Sequence, residues 1–156
     1  GSVSVGEIRN ECKHMDFDCI IIDYIQLLRT DVRYQSRASE VGAISKAIKA
    51  LAMELNIPII ALSQLNRASE MRTDKEPTMG ELREAGDIEQ DASIIIMLWN
   101  IYDKKKGLKV EKNRQGTLIK EVIIFEGNNM MFKETDESLK DIVKGFREVQ
   151  DATPFD

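Results

Sequence analysis

Three short stretches of this chain are apolar at almost every position: Cys19-Ile20-Ile21-Ile22-Asp23, Pro58-Ile59-Ile60-Ala61-Leu62-Ser63 and Ile94-Ile95-Ile96-Met97-Leu98-Trp99. A strand with one wet face alternates apolar and polar residues. A run with no polar alternate needs cover on both faces, as strands of a helix-flanked parallel sheet have. Between the first two runs, Val41, Ile44, Ile48, Leu51 and Leu55 recur at helical spacing, and Asn56-Ile57-Pro58 stops the helix they predict. Strands alternating with helices predict an α/β domain with a mainly parallel sheet. Residues 5–15 read as the end of a polar helix, and residues 29–36 and 66–77 as loops. Thr78-Met79-Gly80-Glu81 is a capping-box pattern, predicting a short helix from Thr78 that Gly86 ends.

Beyond Trp99 the pattern changes. Leu108 to Arg114 and Ile119 to Phe125 read as strands around Gln115-Gly116, a hairpin signal, and Asn128-Asn129 reads as a turn into Met130-Met131-Phe132. From Glu134 onward there are seven acids and three bases. Residues 3–133 are therefore expected to form one domain. Residues 134–156 are expected to form an acidic tail, with Leu139, Ile142, Val143 and Phe146 on one helix and a frayed end.

The net charge of −5 excludes a bulk-basic nucleic-acid binder but not a local basic patch. His14 is the only histidine, so Ser-His and Cys-His nucleophilic mechanisms have almost no material. Cys12, His14 and Cys19 match no standard zinc spacing and lack a fourth ligand, and the two cysteines read as reduced thiols in a reducing compartment. No apolar run reaches membrane-spanning length and no secretory leader is visible, which predicts a cytoplasmic protein with no membrane partner.

Four places could carry chemistry. Asp23 ends a buried strand, where open α/β sheets put their ligands and where nucleotide-hydrolysing motors keep the acid that orients Mg²⁺. Gln64, with Ser63, follows the next strand; an amide there can bond a γ-phosphate or position water. Residues 80–91 hold Arg83 and main-chain N–H groups suited to a phosphate backbone, but also five acids, so a solvated charged helix is the competing reading. Residues 103–114 hold six bases and two acids. Lys112 and Arg114, two residues apart, would share one side of a strand and could reach one polyphosphate; a lysine-rich edge strand reads equally well.

These pieces stand in a familiar order. Ile20 to Leu28 resembles the Walker B segment "IVIDYLQLM" of DnaB-type replicative helicases, and Ala61-Leu62-Ser63-Gln64-Leu65-Asn66-Arg67 their "ALSQLSR". Leu82 to Ala92 resembles "LRESGSIEQDAD", and Lys112-Asn113-Arg114-Gln115-Gly116 their "KQRNG" finger. The resemblance implies a partial RecA-like P-loop NTPase fold with a C-terminal β-hairpin. It further implies a homohexamer that uses ATP and Mg²⁺ to move 5′ to 3′ on single-stranded DNA, with primase and a helicase loader as possible partners. Asp23 would be the Mg²⁺-linked acid, in contact through water, and Gln64 the phosphate sensor. Arg83, Glu84 and Gly86 would lie on the DNA-contacting loop. Arg114, with Lys112 beside it, would be the finger acting on a neighbour's nucleotide. The Glu-Gln-Asp-Ala run and the Lys-x-Arg pair favour this family over a RecA/RadA-type recombinase. A non-catalytic module that binds a helicase ring is the rival from another class.

The sequence contains no G-x-x-x-x-G-K-[ST] phosphate loop. The expectation is therefore part of a longer protein, inactive toward ATP by itself. In RecA-like sheets the phosphate-loop strand lies between the strands at Ile59 and Ile94, so both should present an edge.

Overall fold

A computed structural model of the chain describes residues 2–66, 76–82 and 86–138. It divides into two compact units, the first holding the chain up to Asn66 with Thr78–Ala92, the second holding residues 67–77 and Ser93 onward.

In the first unit, α1 (Val5–Cys12) leads to β1 (Ile20–Ile22), a 3-10 turn (Ile25–Leu27), α2 (Arg37–Leu55) and β2 (Ile59–Ala61). Ser4 starts α1 through a complete capping box: its hydroxyl accepts from Glu7 N at 3.2 Å, and the Glu7 carboxylate accepts from Ser4 N at 2.7 Å. Ser36 caps α2, and Asn56, in the left-handed region at φ 54°, ends it where the sequence predicts. β1 and β2 pair in parallel. The predicted stripe packs as the core: Ile44, Ile48 and Leu51 are buried with Val5, Ile22, Ile25 and Leu28, and Leu55 packs at the margin. Removing a fully covered side chain such as Leu51 would cost roughly 2–5 kcal/mol.

Cover is one-sided among the described residues. Ile22 is 6% exposed, whereas Ile21 is 69% exposed and Ile60 54%. The two-faced burial expected for these runs is thus half met.

The capping box at Thr78 forms, but it starts only the single 3-10 turn Met79–Glu81, closed by Leu82 N donating to Met79 O. Leu82 is extended and bridges Leu65 in antiparallel fashion. Gly86 does not end a helix; it lies within α3 (Gly86–Asp91). The extended backbone at Leu82 ends the 3-10 turn, and Asp87 and Glu89 give α3 the early acids that suit the N-terminal half of a helix.

The second unit is an antiparallel sheet of β3 (Ile94–Tyr102), β4 (Lys105–Asn113), β5 (Lys120–Glu126) and β6 (Met131–Glu134), in that order. The hairpin around Gln115-Gly116 and the turn at Asn128-Asn129 both form. β3 alternates strictly: Ile95, Met97, Trp99 and Ile101 are buried, while Ile94, Ile96 and Leu98 are exposed. Among the described residues, the parallel pairing inferred from the sequence is confined to β1 and β2. β3 joins the antiparallel meander, and β2 and β3 each stand at the edge of their own sheet. The tail helix expected over residues 139–146 lies outside the described residues.

Candidate functional site

β1 and β2 place Ile20, Ile21 and Ile22 beside Ile59, Ile60 and Ala61, so both strands finish at one edge. The ladder runs past them: Ile22 O accepts from Leu62 N at 2.9 Å, and Leu62 O accepts from Ile25 N at 2.9 Å. Asp23 leaves β1 at this edge and Gln64 stands three residues past β2, both exposed. The Asp23–Tyr24 peptide is cis. The two predicted residues therefore share the carboxyl edge of one parallel pair, where α/β folds bind ligands.

Sequence reasoning missed Gln26, which ties this edge together. Its Nε2 donates to Ser63 Oγ at 3.1 Å, and its Oε1 accepts from Gln64 N at 3.4 Å. Arg37 in turn donates to Gln26 O and pairs with Glu40. Gln26 is visible in the Asp23–Leu28 segment, but a partner 38 residues away is not.

A lone exposed carboxylate suits Mg²⁺, which keeps several waters and takes one or two protein carboxylates together with substrate phosphates. Asp23 fits that role. Among the described residues no group of three or more His, Cys, Asp or Glu side chains gathers as a metal cage.

Lys112 and Arg114 belong to the second unit. β4 ends at Asn113, and Arg114 opens the bend after it, with its N–H donating to Ser93 O at 3.0 Å. The strand carries a bulge. Ile95 pairs with Lys112 and Ile96 with Val110, leaving Glu111 as the extra residue. Lys109 pairs with Met97. Cross-strand partners share a face, so the bulge brings Lys109 and Lys112, otherwise on opposite faces, to the face of Met97 and Ile95.

Two cations of the basic stretch, Lys105 and Lys109, are held by carboxylates. Lys109 is 7% exposed and lies 3.2 Å from Glu76 and 2.8 Å from Glu111. Lys120 lies 2.5 Å from Glu76, and Lys105 pairs with Glu137. Burial pulls the Lys109 ammonium down, but its bonds to Glu111 and Glu76 outweigh this and hold it above the usual lysine value. Burial likewise pushes Glu76 up, and the bonds from Lys120 and Lys109 bring it below the usual carboxylate value. The Glu137 carboxylate, with Tyr102, raises Lys105.

Of the predicted loop, Gly86 lies in α3, while Arg83 and Glu84 lie outside the described residues. α3 is held to α2: Ser45 Oγ donates to Asp91 at 2.7 Å, and Lys46 pairs with Asp87 at 3.2 Å.

The sequence matches the family described as DnaB-like helicase C terminal domain over residues 1–134. It is 39% identical over 145 residues to the replicative DNA helicase DnaB of Leifsonia xyli subsp. xyli, covering 85% of this chain and 32% of that protein. It is 44% identical over 102 residues to the corresponding protein of Rickettsia felis, covering 63% and 21%. The chain thus spans about a third or less of the curated relatives it matches. A solved structure of an ATPase domain superposes with a TM-score of 0.79 at 32% identity, over 86% of this chain and 52% of that one. A DnaB-like replicative helicase, solved in a study of its interactions with primase, superposes with a TM-score of 0.78 at 30% identity, over 86% and 36%.

Proposed function

The chain belongs to the family of DnaB-like helicase C-terminal domains, and from that premise we propose that it supplies the Walker B and finger part of a replicative helicase's ATP-driven motor. The observation that carries this reading is the shared carboxyl edge of β1 and β2, where Asp23 and the Gln26-braced Gln64 stand. In the proposed motor, ATP is the substrate and Mg²⁺ its counter-ion. Mg²⁺ would neutralise the developing phosphate charge, as it does across phosphoryl-transfer enzymes. Asp23 would hold it through its water shell. Gln64 would bond the γ-phosphate or the attacking water and so sense whether ATP is intact. Lys112 and Arg114 would act on a nucleotide bound by the adjacent subunit.

Single-stranded DNA is the proposed track, contacted by Arg83, Glu84 and Gly86. The proposed assembly is a homohexamer, and primase and a helicase loader are proposed partners. No described helix is long and apolar enough to cross a membrane; the cytoplasm is the proposed location. The phosphate loop would come from the remainder of the ATPase domain. That remainder would also cover the exposed Ile21 and Ile60 face and pair the free edges of β2 and β3. The partial coverage of the matched ATPase domain supports this arrangement.

The test uses the whole protein carrying Asp23→Asn. DNA-stimulated ATP hydrolysis and strand displacement on a forked duplex should both fall by about 10²-fold or more, with ATP still bound. Full turnover in that variant would refute the reading.

A further inference from the structure

Lys109 on β4 and Lys120 on β5 are directly opposed partners, the last pair of the β4–β5 register before the bend that carries Arg114. Like charges facing each other across a ladder are destabilising, and Lys109 is nearly buried, which makes an unpaired ammonium costlier still. A hairpin would be expected to open at such a pair. One carboxylate reaches both lysines. Glu76 places one oxygen 3.2 Å from Lys109 Nζ and the other 2.5 Å from Lys120 Nζ, bridging the two strands. Pro77, next in the chain, is fully buried.

Just beyond this bridge are the features that aim the finger segment. The Glu111 bulge sets the face of Lys112, and Glu111 also reaches Lys109 at 2.8 Å. Val110 N donates to Ile119 O at 2.8 Å, closing the base of the bend, and Arg114 N is tied to Ser93 O. Glu111 offsets Lys109 alone; Glu76 offsets both opposed lysines at once.

We propose that Glu76 is a positioning residue for the Lys112–Arg114 segment: by bridging Lys109 and Lys120 it keeps the hairpin closed at its base and fixes the direction in which the two cations leave the sheet. The catalytic consequence rests on the function proposed above; the geometric one does not. A misplacement of about 1 Å in a catalytic group can cost on the order of 10²-fold in rate.

Two measurements test it, with three variants: Glu76→Gln, Glu76→Lys, and Glu76→Lys combined with Lys109→Glu. The last keeps the charge count and restores an oppositely charged pair. The first measurement is amide hydrogen exchange at Val110 and Arg114 in the 156-residue chain. Exchange should be about tenfold faster or more in both single variants and return toward the parent in the charge swap. The second is DNA-stimulated ATP turnover in the whole protein. kcat should fall about 10- to 100-fold in the single variants with KM for ATP unchanged, and the swap should recover most of it. Unchanged exchange at both amides overturns the proposal. So does faster exchange with intact kcat, provided that Arg114→Ala, measured alongside, is inactive. If Arg114→Ala is itself fully active, the finger assignment fails separately, and the exchange data alone then decide whether Glu76 positions the segment.

Discussion

At the scale of single residues, close approach decides what is allowed. Gly107 on β4 faces Trp99 on β3, and a Cβ at Gly107 would lie 2.1 Å from the indole ring. Trp99 is 7% exposed and packs with Ile101 and Val122, so moving the ring would disturb that cluster. Gly107→Ala is expected to destabilise the sheet by about 1–3 kcal/mol through overpacking. Urea unfolding followed by Trp99 fluorescence would measure it, and a loss below about 0.5 kcal/mol would mean that the ring moves freely. The sequence announces neither partner: Gly107 reads only as a glycine in a basic stretch. Asp23 and Gln64, in contrast, were legible, because an apolar run ending in a polar residue marks the carboxyl edge of a strand. Gln26 was not, since its role depends on a pairing that only the parallel register creates.

At the scale of elements, the sequence revealed strand and helix existence better than partnership. The Val41–Leu55 stripe, the stop at Asn56 and both hairpin turns follow from local chemistry and form as expected. The sheet assignment of Ile94–Trp99 did not follow. An all-apolar run looks the same whether it is covered on two faces or, as β3 is, paired antiparallel with alternate residues exposed. That Gly86 lies in α3 instead of ending the turn at Thr78 was hidden because a capping box signals where a helix begins and not how far it runs. α3 leans on α2 through the Ser45–Asp91 hydrogen bond, and Gly42 lets it come close: a Cβ there would meet the Asp87 carboxylate at 2.1 Å. Ser45→Ala should therefore cost about 1–3 kcal/mol and speed amide exchange in α3 before it affects α1; uniform exchange across both helices would contradict this. The Glu76 bridge gives a pH prediction with a definite sign. Its carboxyl lies below the ordinary 4.5, so its contribution is present above that value and is lost as pH falls through the lowered one. Lys109 lies above 10.5, so its share is present below that value and is lost only in stronger alkali. The stability difference between the parent and Glu76→Gln should be flat from about pH 5 to 10 and shrink on acidification below about 4.5. A difference that grows in acid would rule the bridge out.

At the scale of the whole molecule, the two units hold different halves of the proposed chemistry. The acid and the sensor are on one; Lys112 and Arg114 are on the other. Neither unit contains a phosphate loop sequence, whose N–H nest and lysine give most of the phosphate contacts in such enzymes. The 156-residue chain should accordingly bind ATP weakly, and a low-micromolar dissociation constant by calorimetry would contradict that. A finger that works across a subunit boundary has a signature no single variant can mimic. In the whole protein, Arg114→Ala should reduce DNA-stimulated turnover by roughly 10³-fold while leaving ATP binding nearly intact. Asp23→Asn should be inactive for a different reason, the loss of the Mg²⁺-linked acid. When the two inactive proteins are mixed and reassembled, some interfaces will join an Asp23 from one variant to an Arg114 from the other. With random mixing in equal amounts this holds for roughly a quarter of interfaces in a closed ring. Turnover should reappear in the mixture and peak near equal proportions. A cis-acting Arg114 would give no activity at any ratio, because no subunit would then own both groups. An active Arg114→Ala protein on its own would remove the finger assignment altogether.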